Sequence, residues 1–106
     1  MGLFTMFRTT DINAGVEEFR KTNGAVLLDV RTIEEYREGH IEGSINLPLD
    51  RISTIENIVK DKNSPIFVHC YSGSRSGRAV DYLKQIGYNN VKNIGGIGNY
   101  TGKVVR

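Results

Sequence analysis

The stretch from Pro65 to Gly87 constrains the fold of this chain more than any other. Pro65-Ile66-Phe67-Val68 is a short apolar, β-branched run, the composition of a buried strand. Behind it Ala79, Val80, Leu83 and Ile86 recur at helical spacing, and Gly87 follows as a C′ stop. Between them lies His69-Cys70-Tyr71-Ser72-Gly73-Ser74-Arg75-Ser76-Gly77, which holds the chain's only cysteine. A strand, a loop of small residues and a helix in this order let the loop N–H groups converge on one point, and the helix dipole adds to them. That is an anion cradle. A thiol placed in it ionises readily, because the site favours the charged form.

A single cysteine is otherwise a small buried hydrophobe as a rule. Two neighbouring features argue for chemistry. Arg75 and Arg78 fall in the loop and the first helical turn, where the macrodipole disfavours cations and a bound anion would remove that cost. Ser72, Ser74 and Ser76 add hydroxyl donors to the amides, although each alone also reads as a turn or N-cap residue. Tyr71 either rims the pocket or is a plain exposed aromatic.

The rest of the chain alternates strands with helices. Leu3 to Arg8 is expected as a first strand, and Asp11 as the N-cap of a helix through Lys21 that buries Ile12, Val16 and Phe19. Ala25 to Val30 is an apolar run broken only by Asp29, as in a parallel strand covered on both faces. Thr32-Ile33-Glu34-Glu35 is a capping box opening a short helix that Gly39 stops. Ser44 to Leu47 reads as a strand ended by Pro48. Ser53-Thr54-Ile55-Glu56 reads as a second capping box, with its helix running to Lys60. Val91 to Ile94 makes the last strand, and Gly95-Gly96-Ile97-Gly98 a turn. This order predicts an α/β fold with a mainly parallel central sheet flanked by helices.

Ligands of such sheets gather at the carboxyl ends of the strands. Cys70 obeys that rule, as do Asp29 and Arg31. These two project to one side by alternation and read as a structural ion pair near the site. His69 points away from its neighbour Cys70 and is expected as a hydrogen-bonded core histidine, and His40 as a helix-end residue bonding backbone. Neither is expected as a general base.

Length and charge exclude several classes. One hundred and six residues leave room for one domain, expected over 1–106. Charges of both signs are mixed to a net +2, with no basic tract for nucleic acid. One cysteine rules out an intrachain disulfide framework and a Cys-cluster metal site, and no run is long enough to cross a membrane. The N-terminus has neither a signal peptide's apolar stretch nor a myristoylation pattern. The expectation is a soluble cytoplasmic protein.

The pattern His69-Cys70-x-x-Gly73-x-Arg75-Ser76-Gly77 resembles the active loop of single-domain rhodaneses, the thiosulfate sulfurtransferase family. Leu28-Asp29-Val30-Arg31 followed by Glu35-Tyr36-x-x-Gly39-His40-Ile41-x-Gly43-Ser44-x-Asn46-Leu47-Pro48 is similar to the family's upstream signature. Gly87-Tyr88-x-x-Val91-x-x-Ile94-Gly95-Gly96 is similar to its downstream one. Tyr100 stands where many members have tryptophan.

The resemblance implies a three-layer rhodanese-like fold and a sulfurtransferase. Cys70 would be the catalytic nucleophile, carrying sulfur as a persulfide. Tyr71, Ser72, Gly73, Ser74, Arg75 and Ser76 would bind the donor, thiosulfate or another persulfide. The acceptor would be a thiol, small or on a protein, or cyanide. No metal and no organic cofactor is called for. Two other readings stay open: a cysteine phosphatase or arsenate reductase, whose related loop carries five residues between Cys and Arg where this chain has four, and a silent rhodanese-like module that binds partners.

Overall fold

The computed structural model describes residues 11–106, so the strand expected over Leu3–Arg8 lies outside the described residues. Helix α1 (Ile12–Lys21) begins where the Asp11 carboxylate accepts the Asn13 N–H at 3.1 Å. Strand β1 (Val26–Asp29) follows, then helix α2 (Ile33–Glu38). The capping box expected there is present: Thr32 Oγ1 accepts the Glu35 N–H, and the Glu35 carboxylate accepts the Thr32 N–H at 2.9 Å. After these come β2 (His40–Ile41), β3 (Ser44–Asn46), a 3₁₀ segment (Leu49–Asn57), β4 (Ile66–Cys70), α3 (Ser74–Gln85), β5 (Val91–Gly96), a 3₁₀ turn (Ile97–Asn99) and β6 (Val104–Val105).

The central sheet has the order β3-β1-β4-β5 and every pair in it is parallel. Alternation divides its side chains into two cores. Leu28, Val30, Ile66, Val68 and Cys70 pack under α3 and the 3₁₀ segment with Ile52, Ile55, Ala79 and Leu83. Leu27, Phe67 and Ile94 pack on the other side with Ile12 and Val16 of α1. Helical layers on both faces of a parallel sheet make the three-layer α/β arrangement that the sequence predicts. Tyr100, the residue that departs from the family's tryptophan, packs against the α1-side core.

Three expectations need correction. The helix expected to start at Ser53 starts at Leu49, is 3₁₀ in kind and ends at Asn57. Pro48 (φ −54°) sets the first turn, so Ser53 lies inside the 3₁₀ segment and not at the start of a helix. The last central strand runs on through Gly95-Gly96, because a bulge pairs Val68 with Asn93 and then His69 with Gly95. A second, two-stranded sheet also forms, β2 against β6, antiparallel. Strands of two residues leave no periodicity to read.

Candidate active site

The carboxyl ends of the central strands bring the site together. Cys70 ends β4 with its side chain fully buried. Gly73 adopts φ +101°, a left-handed turn that glycine takes without strain and that folds the loop back over the sulfur. Its N–H donates to Cys70 Sγ at 3.0 Å. The Ser76 hydroxyl lies 3.5 Å from the same sulfur. Helix α3 then starts at Ser74 with no side-chain cap and no acid in its first turn, leaving its leading N–H groups for an anion. Burial pushes the Cys70 thiol up. The Ser76 hydroxyl and the N–H groups of Ser76, Gly73 and Ser72 outweigh it and hold the thiol below its ordinary value.

The loop is braced from β5. A Cβ on Gly96 would overlap the Tyr71 carbonyl and come within 2.6 Å of Ser72 Cα, so only glycine lets the strand pass this close. Gly98 donates its N–H to the Tyr71 carbonyl at 3.0 Å. The Tyr71 ring is exposed and lines a cleft of about 330 Å³ with Arg31, Glu35, Glu38 and Gly39. Of the three loop serines, only Ser76 brings its hydroxyl to the sulfur. Ser72 contributes an amide, and Ser74 is exposed at the start of α3.

Within the fold Arg75 pairs with Glu35, a partner that the sequence reading did not name. Its guanidinium grips the Glu35 carboxylate through two bonds, Nη1–Oε1 at 2.7 Å and Nη2–Oε2 at 3.1 Å. The hydrogen bond from Arg75 holds the Glu35 carboxyl down at about 2, against a smaller opposing push from burial. The same bond raises Arg75, and the Cys70 charge adds to that rise, so the cation lies within electrostatic reach of the sulfur.

Behind the site, Arg31 binds Asp29 through Nε at 3.0 Å and Nη2 at 2.7 Å, both side chains buried. Arg31 Nη2 also donates to the Gly39 carbonyl at 2.8 Å, fixing the turn after α2. The two charges thus form a buried ion pair. His69 is buried beside it, with Nδ1 3.0 Å from the Cys70 carbonyl and Nε2 3.6 Å from Asp29 Oδ2. A carbonyl only accepts, so Nδ1 carries the proton and His69 anchors the Cys70 backbone. His40 opens β2 and lies stacked on Tyr36, with Nδ1 2.8 Å from the Tyr36 carbonyl.

Sequence reasoning missed two residues here. Glu35 signals only its capping role in the chain, and nothing in the sequence announces that its carboxylate has room for Arg75 as well. Asn93 lies 20 residues downstream of Gly73, yet its Nδ2 donates to the Gly73 carbonyl at 3.0 Å. Alternation from Val91 puts it on the α3 side of β5, but only the fold brings that strand beside the loop.

A parallel α/β sheet with a cysteine in an amide cradle at its carboxyl edge defines a class of domain, one that holds a thiol in a strand-to-helix loop. The family of the Rhodanese-like domain matches residues 14–103, and the chain belongs to it. Thiosulfate sulfurtransferase PspE of Escherichia coli (strain K12) is 41% identical over 71 residues, covering 66% of this chain and 68% of that protein. The adenylyltransferase and sulfurtransferase uba4 of Ogataea parapolymorpha is 35% identical over 95 residues, but the chain spans only 24% of its length. A solved rhodanese with anions from E. coli superposes with a TM-score of 0.72 at 36% identity, covering 77% of this chain and 98% of that one. These relatives support sulfur transfer as the general chemistry.

Proposed function

We propose that this protein is a thiosulfate sulfurtransferase-type enzyme that carries sulfane sulfur as a persulfide on Cys70. The observation that carries the reading is the Gly73 N–H at 3.0 Å from a buried sulfur at the start of an uncapped helix. The Cys70 thiolate attacks the outer sulfur of a donor such as thiosulfate. The S–S bond of the donor breaks, its electron pair leaves with sulfite, and the transferred sulfur remains on Sγ as the charged end of a persulfide. A nucleophilic acceptor, cyanide or a thiol, then attacks that outer sulfur, and the electron pair returns to Sγ. Covalent catalysis in two half-reactions gives ping-pong kinetics. The loop amides stabilise the negative charge wherever along the two sulfurs it gathers.

Arg75 contributes a guanidinium within electrostatic reach of the sulfur, and Glu35 holds its fork in place and ties α2 to the loop helix.

Only four residues stand between Cys70 and Arg75, and a loop this short favours a single outer sulfur over the bulkier phosphoryl tetrahedron. The loop also offers no Asp or Glu to protonate an alcohol leaving group. Thiosulfate-dependent thiocyanate formation and aryl phosphate hydrolysis, assayed on one preparation with Cys70→Ser as the blank, test the reading. Cys70-dependent sulfur transfer with negligible phosphatase turnover is expected. Phosphatase turnover exceeding sulfur transfer would overturn it.

A further inference from the structure

Asn93 makes three bonds around the loop, and they fix how its amide is turned. Nδ2 donates to the Gly73 carbonyl, which can only accept. Oδ1 accepts the Gly95 N–H at 3.0 Å. With both ends determined, the oxygen is the atom that faces Ser76 Oγ, 2.7 Å away. The hydroxyl has one hydrogen, and two acceptors stand within its reach: Asn93 Oδ1 at 2.7 Å and Cys70 Sγ at 3.5 Å. It can serve only one at a time.

A neutral sulfur is a weak acceptor, and an amide oxygen is the better partner. A thiolate reverses that order, because a bond to a charged acceptor is about twice as strong. Among the described residues, these two are the acceptors that the Ser76 hydroxyl meets.

We propose that Asn93 is a positioning residue that competes with the Cys70 sulfur for the Ser76 hydroxyl, holding its hydrogen while the sulfur is neutral and yielding it when the sulfur is charged. Its place in turnover rests on the persulfide reading. In the persulfide the charge lies on the outer sulfur, Sγ is a neutral member of the S–S bond, and the hydroxyl stays with Asn93. When the acceptor takes the outer sulfur, the electron pair of the breaking S–S bond moves to Sγ. The O–H then turns toward the departing thiolate. No proton is transferred; only the hydroxyl rotates. Alternation from Val91 turns Asn93 to the α3 side of β5, and the bulge that follows it lies between Asn93 and Gly95, whose N–H bonds the amide oxygen.

The test is the pH midpoint of Cys70 alkylation by iodoacetamide. It reads the thiol alone and needs no sulfur transfer, so its failure and the failure of the persulfide reading are separate results. Six proteins are compared: the native chain, Ser76→Ala, Asn93→Ala, Asn93→Asp and the two double variants. Both Asn93 variants lose the donor to the Gly73 carbonyl and differ in what they offer Ser76. Alanine removes the competing acceptor, so its shift in midpoint should lie lower by about half a unit or more with Ser76 present than in the Ser76→Ala background. Aspartate is a stronger acceptor, so its shift should lie higher by about half a unit or more with Ser76 present than in that background. Couplings of opposite sign are the expected result. Aspartate is nearly isosteric with asparagine and carries the test alone if the alanine variant does not fold. A shift that is the same with and without the Ser76 hydroxyl would overturn the proposal, leaving Asn93 as a brace of the loop and nothing more.

Discussion

Arg75 and Glu35 meet across the mouth of the site with two guanidinium nitrogens on two carboxylate oxygens, at 2.7 and 3.1 Å. Both side chains are about two-thirds covered, and the same Glu35 oxygen that takes Arg75 Nη1 also takes the Thr32 N–H. One carboxylate therefore starts α2 and ties it to the helix behind the cysteine.

Arg75→Ala removes the positive charge and frees α2, and kcat/KM for thiosulfate should fall by some tens- to a hundredfold, corresponding to about 2–3 kcal/mol. Glu35→Gln keeps the charge and one bond, and should cost less. Arg75→Lys should recover only part of the loss, since lysine offers a point charge without the fork. Full kcat/KM in Arg75→Ala would make the pair purely structural.

The same pair predicts a pH dependence. The Glu35 carboxyl is held at about 2 in the fold, first by the Arg75 hydrogen bond, against an ordinary 4.5. A folded value below the unfolded one means stability that is fully present above about 4.5 and is lost as pH falls toward 2. Because the pair is partly solvated, Glu35→Gln should cost no more than about 1 kcal/mol at neutral pH. Urea unfolding of both proteins should show that gap closing between pH 4.5 and 2. A gap unchanged at pH 2 would contradict the assignment.

Much of this arrangement is legible in the chain. The strand–loop–helix at Cys70, the Thr32–Glu35 capping box and the Asp29–Arg31 pair all follow from local patterns, since each depends on residues a few positions apart. Arg75–Glu35 and Asn93–Gly73 do not. Their partners are 40 and 20 residues apart, and no periodicity connects them. The 3₁₀ segment after Pro48 was hidden for another reason: Ser53-x-x-Glu56 satisfies a capping-box pattern, and the earlier turn set by the proline takes precedence over it.

Gly96 tests how closely β5 must approach the loop. Its φ of −133° is open to any residue, so the constraint is one of space. A methyl group there would collide with the Tyr71 carbonyl and the Ser72 backbone, which cannot give way as a flexible side chain would. Gly96→Ala should lower the melting temperature and sharply reduce sulfur transfer. Native activity and stability in that variant would show that the loop does not depend on the contact.

Asp29→Asn separates the brace from the site. It leaves the Arg31 guanidinium buried without its counter-charge, a loss of about 3–5 kcal/mol for a pair of this kind. By alternation with Leu27, Asp29 lies on the α1 side of the sheet, and Cys70 lies on the α3 side. Chemical denaturation should therefore show a large loss of stability, while the alkylation midpoint of Cys70 in the folded variant stays close to native. Loss of sulfur transfer with unchanged stability would place Asp29 in the reaction instead.

Weighing the intact protein after exposure to thiosulfate shows whether Cys70 carries the sulfur. The native chain should gain the mass of one sulfur atom, lose it on addition of cyanide or a thiol reductant, and gain nothing once Cys70 is replaced by serine. A native chain that gains no sulfur, or a Cys70→Ser variant that gains as much, would contradict a persulfide on Cys70.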